Sequence, residues 1–184
     1  MRNFIVLLRG INVGGKNKIA MPELRRHLEA LGCANVITYI QTGNVLLQSK
    51  RDAHDLASKI ETLLTHNFQL DSALVKVLVL TEKQLHRVID NKPKGFGTQP
   101  QKYHDDVIFL MGIDIAQALP VFDPRDGVDR IWAGEGVIYH QRLSELRTKS
   151  RLSKIVGSAS YQSMTVRSWR TTIKLQELAR ARKK

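Results

Sequence analysis

Val36-Ile37-Thr38-Tyr39-Ile40-Gln41-Thr42-Gly43-Asn44-Val45-Leu46-Leu47-Gln48 decides the architecture of the first half of this chain. Two runs rich in β-branched and apolar residues, Val36 to Gln41 and Val45 to Gln48, flank Thr42-Gly43-Asn44, a tight hairpin signal. Upstream, Met21, Leu24, Leu28 and Leu31 recur on one helical stripe. Pro22 suits a first turn and Gly32 a C-terminal stop, which predicts a helix over 22–31. Downstream, Asp52 is a fitting cap for a helix carrying Leu56, Ile60, Leu63 and Leu64 on one face. The outermost pieces are strand-like: Phe4 to Leu8, continuously apolar and so buried on both faces, and Leu74 to Leu80. The resulting order is β-α-β-β-α-β. It predicts an α+β fold with a ferredoxin-like subdomain over 1–80 and a boundary near Leu80-Thr81.

Residues 81–184 read as a second, basic α+β subdomain. Thr81-Glu82-Lys83-Gln84 is a capping box opening a helix with Leu85, Val88 and Ile89 inward. A loop from Asn91 to His104 is followed by a strand over 106–111 and a short helix over 114–119. Asp123 to Gly127 is a turn, and 130–133 and 137–141 form a hairpin across Gly134-Glu135-Gly136. Leu152, Ile155 and Val156 mark a helix ending at Gly157, and a last helix runs from Trp169 or Arg170 to about Ala181 with Ser168 as cap.

The formal net charge of the 184 residues is +12, and its distribution is uneven. Residues 1–139 are nearly balanced at +2, whereas 140–184 hold 12 Lys and Arg against Glu145 and Glu177 alone. Such a local excess attracts phosphate esters, nucleic acid or acidic proteins. The plain alternative is solubility plus a basic tail from Arg180 to Lys184. A 42% hydrophobic and 25% charged composition argues against disorder. No apolar run approaches the ~20 residues needed to cross a bilayer, so no membrane is expected. A single cysteine, Cys33, excludes an internal disulfide and a multi-cysteine zinc site, and the expected compartment is the cytoplasm.

Three stretches carry candidate chemistry. Arg9-Gly10-Ile11-Asn12-Val13-Gly14-Gly15-Lys16-Asn17-Lys18 satisfies the spacing of a phosphate-cradling loop from Gly10 to Lys16. Three features oppose a nucleotide-hydrolase loop: Asn17 stands where a magnesium-binding hydroxyl belongs, the helix starts several residues late, and the strand order is wrong. An anion-holding loop remains, because the connection is about twice the ordinary ~2–6 residues and carries Arg9, Lys16 and Lys18. The second stretch is Tyr39-Ile40-Gln41-Thr42-Gly43-Asn44, whose bland reading is a hairpin turn. The third is Arg167-Ser168-Trp169-Arg170-Thr171-Thr172, where arginine and tryptophan at a helix start would stack on a base or pair with phosphate, or Trp169 and Ile173 would simply point inward.

These stretches, with Leu7-Leu8 before the first and Lys174-Leu175 after the third, resemble the signatures of a bacterial family catalogued as domain-of-unknown-function family 1697. The likeness spans essentially the whole chain. It implies a ferredoxin-like N-terminal subdomain joined to a second α+β subdomain, and it implies no activity. One departure stands out: the family usually reads Arg-Asn-Trp-Asn-Thr where this chain has Ser168 and Arg170.

Catalytic signatures are weak. The six histidines show no metal-ligand spacing, and His27 and His54 read as solvated positions on amphipathic helices. His104-Asp105-Asp106 is a possible metal contribution, more simply read as surface polarity. Cys33 reads as a small buried filler. Asp129, Glu135 and His140 offer acid/base groups that spacing alone does not join. Catalytic residues and cofactors stay unassigned, and no metal is expected. The leading expectation is a protein binding a phosphate-bearing ligand, nucleic acid or nucleotide, through Arg9, Asn12, Gly14, Gly15, Lys16, Lys18, Gln41, Thr42, Gly43, Asn44, Arg167 and Trp169. The alternatives are a small enzyme acting on an anionic metabolite and an interaction module for an acidic partner protein. Strands 4–8 and 45–48 offer Phe4 and aliphatics only, which disfavours base-stacking RNA recognition on the sheet.

Overall fold

A computed structural model describes residues 1–71 and 75–182. The expected strand start at Leu74, and Lys183 and Lys184 of the basic tail, lie outside the described residues. The chain divides into two compact units, one formed by Met1–Leu85 with Leu175 onward, the other by His86–Lys174.

In the first unit the elements follow the predicted order: β1 (Arg2–Arg9), α1 (Met21–Ala30), β2 (Ala34–Tyr39), β3 (Asn44–Ser49), α2 (Ala53–Asn67) and β4 (Lys76–Thr81). The sheet order is β2-β3-β1-β4 with every pair antiparallel, so β1 is central, with Val6 opposite Val45 on one side and Val79 on the other. Alternation sends Phe4, Val6 and Leu8 into a core with Leu24 and Leu28 of α1 and Leu56, Ile60 and Leu64 of α2. Ile5, Leu7 and Leu46, on the other face, are buried as well, as the continuous apolar run requires. Each such side chain stabilises the fold by ~1.5–3 kcal/mol relative to its exposed state. Asp52 caps α2 by accepting from the Asp55 N–H at 2.9 Å.

After α3 (Glu82–Asp90) the second unit contains β5 (Tyr103–Leu110), α4 (Ile115–Ala118), β6 (Asp129–Gly134), β7 (Val137–Leu143) and β8 (Met164–Ser168), with α5 (Trp169–Ala181) following. The predicted capping box holds: Gln84 Oε1 accepts from the Thr81 N–H at 2.8 Å, and Thr81 Oγ1 from the Gln84 N–H at 3.2 Å. The sheet order is β6-β7-β5-β8, again antiparallel. One face, with Ile108, Leu110, Ile138 and Met164, is covered by α4 and by the short 3-10 segment Leu152–Gly157. On the opposite face Phe96 meets Trp132, Tyr139 and Trp169 edge to face, at 5.3 to 6.2 Å between ring centres. The Tyr139 hydroxyl donates to the Val88 carbonyl at 2.6 Å, and burial pushes its pKa up to about 12.

Two sequence expectations change here. Residues 152–157 form a 3-10 helix rather than an α-helix, and β8 was not expected. Its five residues are too short and too polar to show a period, and pairing along β5 makes them a strand.

Gly43 ties the β2–β3 turn to β1. It sits at φ +78°, its carbonyl accepts from the Leu8 N–H at 2.7 Å, and a Cβ there would fall 2.7 Å from Leu8 Cβ. Gly15, at φ +77°, has nothing within 4 Å of its would-be Cβ. Gly43→Ala is therefore expected to cost ~2–4 kcal/mol, combining left-handed strain with overpacking, and Gly15→Ala ~1 kcal/mol. Urea denaturation of both variants checks this; equal losses would contradict it.

Candidate functional site

The loop between β1 and α1 and the β2–β3 turn come together within the first unit. Asn12, at φ +52°, joins them: its Nδ2 donates to the Ile19 carbonyl (2.9 Å) and the Gln41 carbonyl (2.8 Å), while its Oδ1 accepts from the Ile19 N–H (2.8 Å). Asn17, also at positive φ, donates from Nδ2 to the Gly10 carbonyl at 2.6 Å and exchanges two 2.7 Å hydrogen bonds with Asp71. Asparagine suits these positions because it tolerates left-handed backbone and supplies both donor and acceptor.

Gly14 and Gly15 form the tip of this loop, both at positive φ, with Val13 and Lys16 bridged and the Lys16 N–H given to the Val13 carbonyl at 3.1 Å. The tip is a tight reverse turn in which the N–H groups of Asn12, Lys16 and Asn17 are bonded to Asn17, Val13 and Asp71. The helix begins at Met21, which separates its N-terminus from Lys16.

A pocket of about 670 Å³ opens beside the loop, lined by Asn12, Gly15, Lys18, Ile19, Ala20, Met21, Pro22, Thr38, Ile40 and Gln41. Among the described residues Lys18 is its only ionisable lining residue. Ala20, the N-cap of α1, makes no side-chain cap hydrogen bond to the first turn, where Pro22 has no N–H and Glu23 adds a carboxylate. Ile40, at φ +48° and 47% exposed, is a β-branched residue in the left-handed region, a conformation costing ~1–3 kcal/mol.

Several residues expected to contact a ligand are held by the fold instead. The Asn12 amide is fully engaged with main chain. Asn44 is 0% exposed and donates to the Tyr39 carbonyl and to Thr42 Oγ1. Gly43 is closed against Leu8 and Ile11. Arg9 is half-buried on β1 opposite Lys76; Gly14, Lys16 and Thr42 are exposed but do not line the pocket. Gly15, Lys18 and Gln41 do.

Arg167 and Trp169 fall in the second unit. Arg167 is buried on β8 and donates to Thr165 Oγ1 and the Val166 carbonyl, both at 2.8 Å; burial lowers its pKa to about 10. A Cβ added at Gly97 would lie 2.0 Å from Trp169 Nε1, so the indole is committed to the 91–102 loop. Of the two readings the sequence left open for this stretch, the inward-facing Trp169 is the one the geometry matches. Ser168 acts as the predicted cap, accepting from the Thr171 N–H at 3.2 Å.

The second unit also holds a buried polar row that sequence reasoning only partly found. Alternation turns Asp105 away from His104 and Asp106, and each finds its own partner: Asp105 meets Gln141 Nε2 (2.8 Å), Asp106 meets Arg142 (3.3 Å) and His104 meets Ser144 Oγ (3.1 Å). Burial raises the pKa of both aspartates, against the pull of Gln141 on Asp105 and of Arg142 on Asp106. Glu135 pairs with Arg87 at 3.0 Å. Asp129 and His140 do meet, Oδ1 to Nε2 at 3.3 Å, both buried. Burial pushes Asp129 up, but N–H bonds from Arg151 and Arg125 and the Ser150 hydroxyl outweigh it and hold the carboxyl below its usual range. Burial drives His140 down to about 4, against Asp129. Neutral His140 then keeps its proton on Nε2, facing Asp129, and leaves Nδ1 without a donor among the described residues. Only strand pairing shows that Asp106 stands opposite His140.

The sign of the pH effect follows. A histidine whose folded pKa lies below its unfolded ~6.5 favours the unfolded state once pH falls below 6.5, so it removes ~2 kcal/mol of stability between pH 7 and pH 5. Asp105 and Asp106, raised on folding, act in the opposite sense as pH falls through their folded pKa. His140→Gln should therefore lose less stability than the parent over that window in chemical denaturation. An unchanged pH slope would show that His140 is not the titrating group.

Comparison with known proteins agrees with the topology. The chain is similar in structure to a conserved bacterial protein from Streptococcus pneumoniae, with a TM-score of 0.80 and 26% sequence identity over 96% of this chain and 98% of that one. No curated protein matches it. A sequence profile described as protein of unknown function (DUF1697) matches residues 1–139, and the chain belongs to that family.

Proposed function

We propose that the first unit binds a small phosphate-bearing molecule of about nucleotide size in the pocket beside the β1–α1 loop. The observation that carries this reading is the shared placement of Lys18 and the uncapped N-terminus of α1 around one space of about 670 Å³. That volume lies within the ~300–1,000 Å³ typical of small-molecule sites. Helix N-terminal amides and one ammonium complement one anionic group. Ile19, Met21, Pro22 and Ile40 supply an apolar wall for the remainder of the ligand. Gln41 adds a neutral polar group for orientation.

Binding is favoured over catalysis because, among the described residues, the pocket lining holds no carboxylate, imidazole or thiol to move a proton. The Asp129–His140 pair belongs to the second unit, with both side chains almost wholly buried. The test is a thermal-shift and calorimetric series with nucleoside monophosphates, sugar phosphates and inorganic phosphate. At least one phosphorylated compound should bind, Lys18→Ala should weaken it ~10-fold or more, and affinity should fall only modestly from 50 to 200 mM salt. No response from any member of the series, or binding insensitive to Lys18, would overturn the reading.

A further inference from the structure

Asp129 does more than face His140. Its Oδ2 accepts from the Arg125 N–H at 3.0 Å and the Arg151 N–H at 2.9 Å, so one buried carboxylate holds two loops, 123–129 and 147–154, side by side. Arg125 Nη1 donates to the Lys149 carbonyl at 3.4 Å, and Asp123 is shared by Arg151 (2.7 Å) and Lys154 (3.5 Å). These contacts assemble Arg125, Arg147, Lys149, Arg151 and Lys154 on neighbouring loops of the second unit, and all but Arg151 are exposed. Asp123 and Asp126 are the exposed carboxylates of the same two segments.

We infer that the paired loops 123–129 and 147–154 form a docking surface for the phosphate backbone of a nucleic-acid duplex, independent of base sequence. Arg125 lies outside the basic C-terminal quarter, and only the fold brings it beside Arg147 and Lys149. Arginine and lysine together suit phosphate oxygens, the first as a fork and the second as a point charge. No aromatic side chain belongs to either segment, so base stacking, the means of holding single strands, has no platform there. The surface is built wholly from residues of the second unit.

The experiment is fluorescence anisotropy of the full chain with a labelled 20-base-pair duplex, across 50 to 200 mM salt. Micromolar binding at the lowest salt is expected, falling ~150-fold across that range for about four neutralised phosphates. Arg147→Ala with Lys149→Ala should weaken it ~10-fold or more. Lys50→Ala with Lys59→Ala, which removes two exposed cations elsewhere, should change it less than twofold. Lys18→Ala should leave it unchanged. Equal losses in the two double variants would reduce the binding to net charge and overturn the assignment. So would a single strand, or a polyglutamate peptide, that competes as well as the duplex, or no binding at 50 mM salt. Circular dichroism and melting of each variant verify that the fold is retained.

Discussion

The side-chain amide of Asn12 is the interaction on which the candidate site depends. The connection between β1 and α1 runs outside any sheet or helix, and its main-chain groups need partners that regular structure does not provide. Asn12 meets three of them, on both sides of residue 19 and on Gln41, and so joins the start of the helix to the β2–β3 turn. Asn17 and Asp71 complete the fastening from the other side. The pocket is the space left between these fastened segments. Side-chain hydrogen bonds from these asparagines hold its walls, and Asn12 and Asn17 are therefore less available to a ligand than the exposed Lys18.

A comparable logic operates in the second unit with a charge in place of an amide. Asp129 sits at the start of β6, buried beside a histidine that burial keeps neutral, and it keeps its own charge because two main-chain N–H groups and a hydroxyl converge on it. A carboxylate so bonded orders the two loops it touches. Those loops carry much of the exposed positive charge of the unit. Other cations of the basic segment are occupied otherwise: Arg142 faces Asp106, Arg167 is buried among β8 groups, and Arg182 donates to the Asn35 carbonyl at 2.6 Å. Charge counted along a sequence therefore overstates the charge a partner meets.

Much of the architecture was legible in advance because its signals are local. The Thr42-Gly43-Asn44 turn, the Asp52 cap, the Thr81–Gln84 box and the Ser168 cap each depend on a residue and its neighbours within four positions, and each is found where the pattern put it. Strand β8 escaped because its identity comes from β5, more than fifty residues away. The meeting of two loops was legible, but not what each of their residues does. The β1–α1 loop and the β2–β3 turn do meet, yet of the polar residues singled out there, Asn12 and Asn44 turned out to hold the fold together. The sequence took Arg167 as a solvated group and left Trp169 open between the surface and the core, because basic and aromatic residues at a helix start look alike whether solvated or packed.

By itself the sequence determined the succession of elements, the apolar faces and the uneven charge, since these follow from periodicity and composition along one dimension. Tertiary structure alone decided which polar groups are consumed and which are offered. A hydrogen bond such as Asn12 to Gln41, or His140 to Asp129, joins residues whose proximity depends on strand register and chain reversal. Once such a bond is made away from water, breaking it leaves a desolvated group unpaired. That cost, absent from any linear pattern, separates the residues that build the pocket from those that can face a ligand.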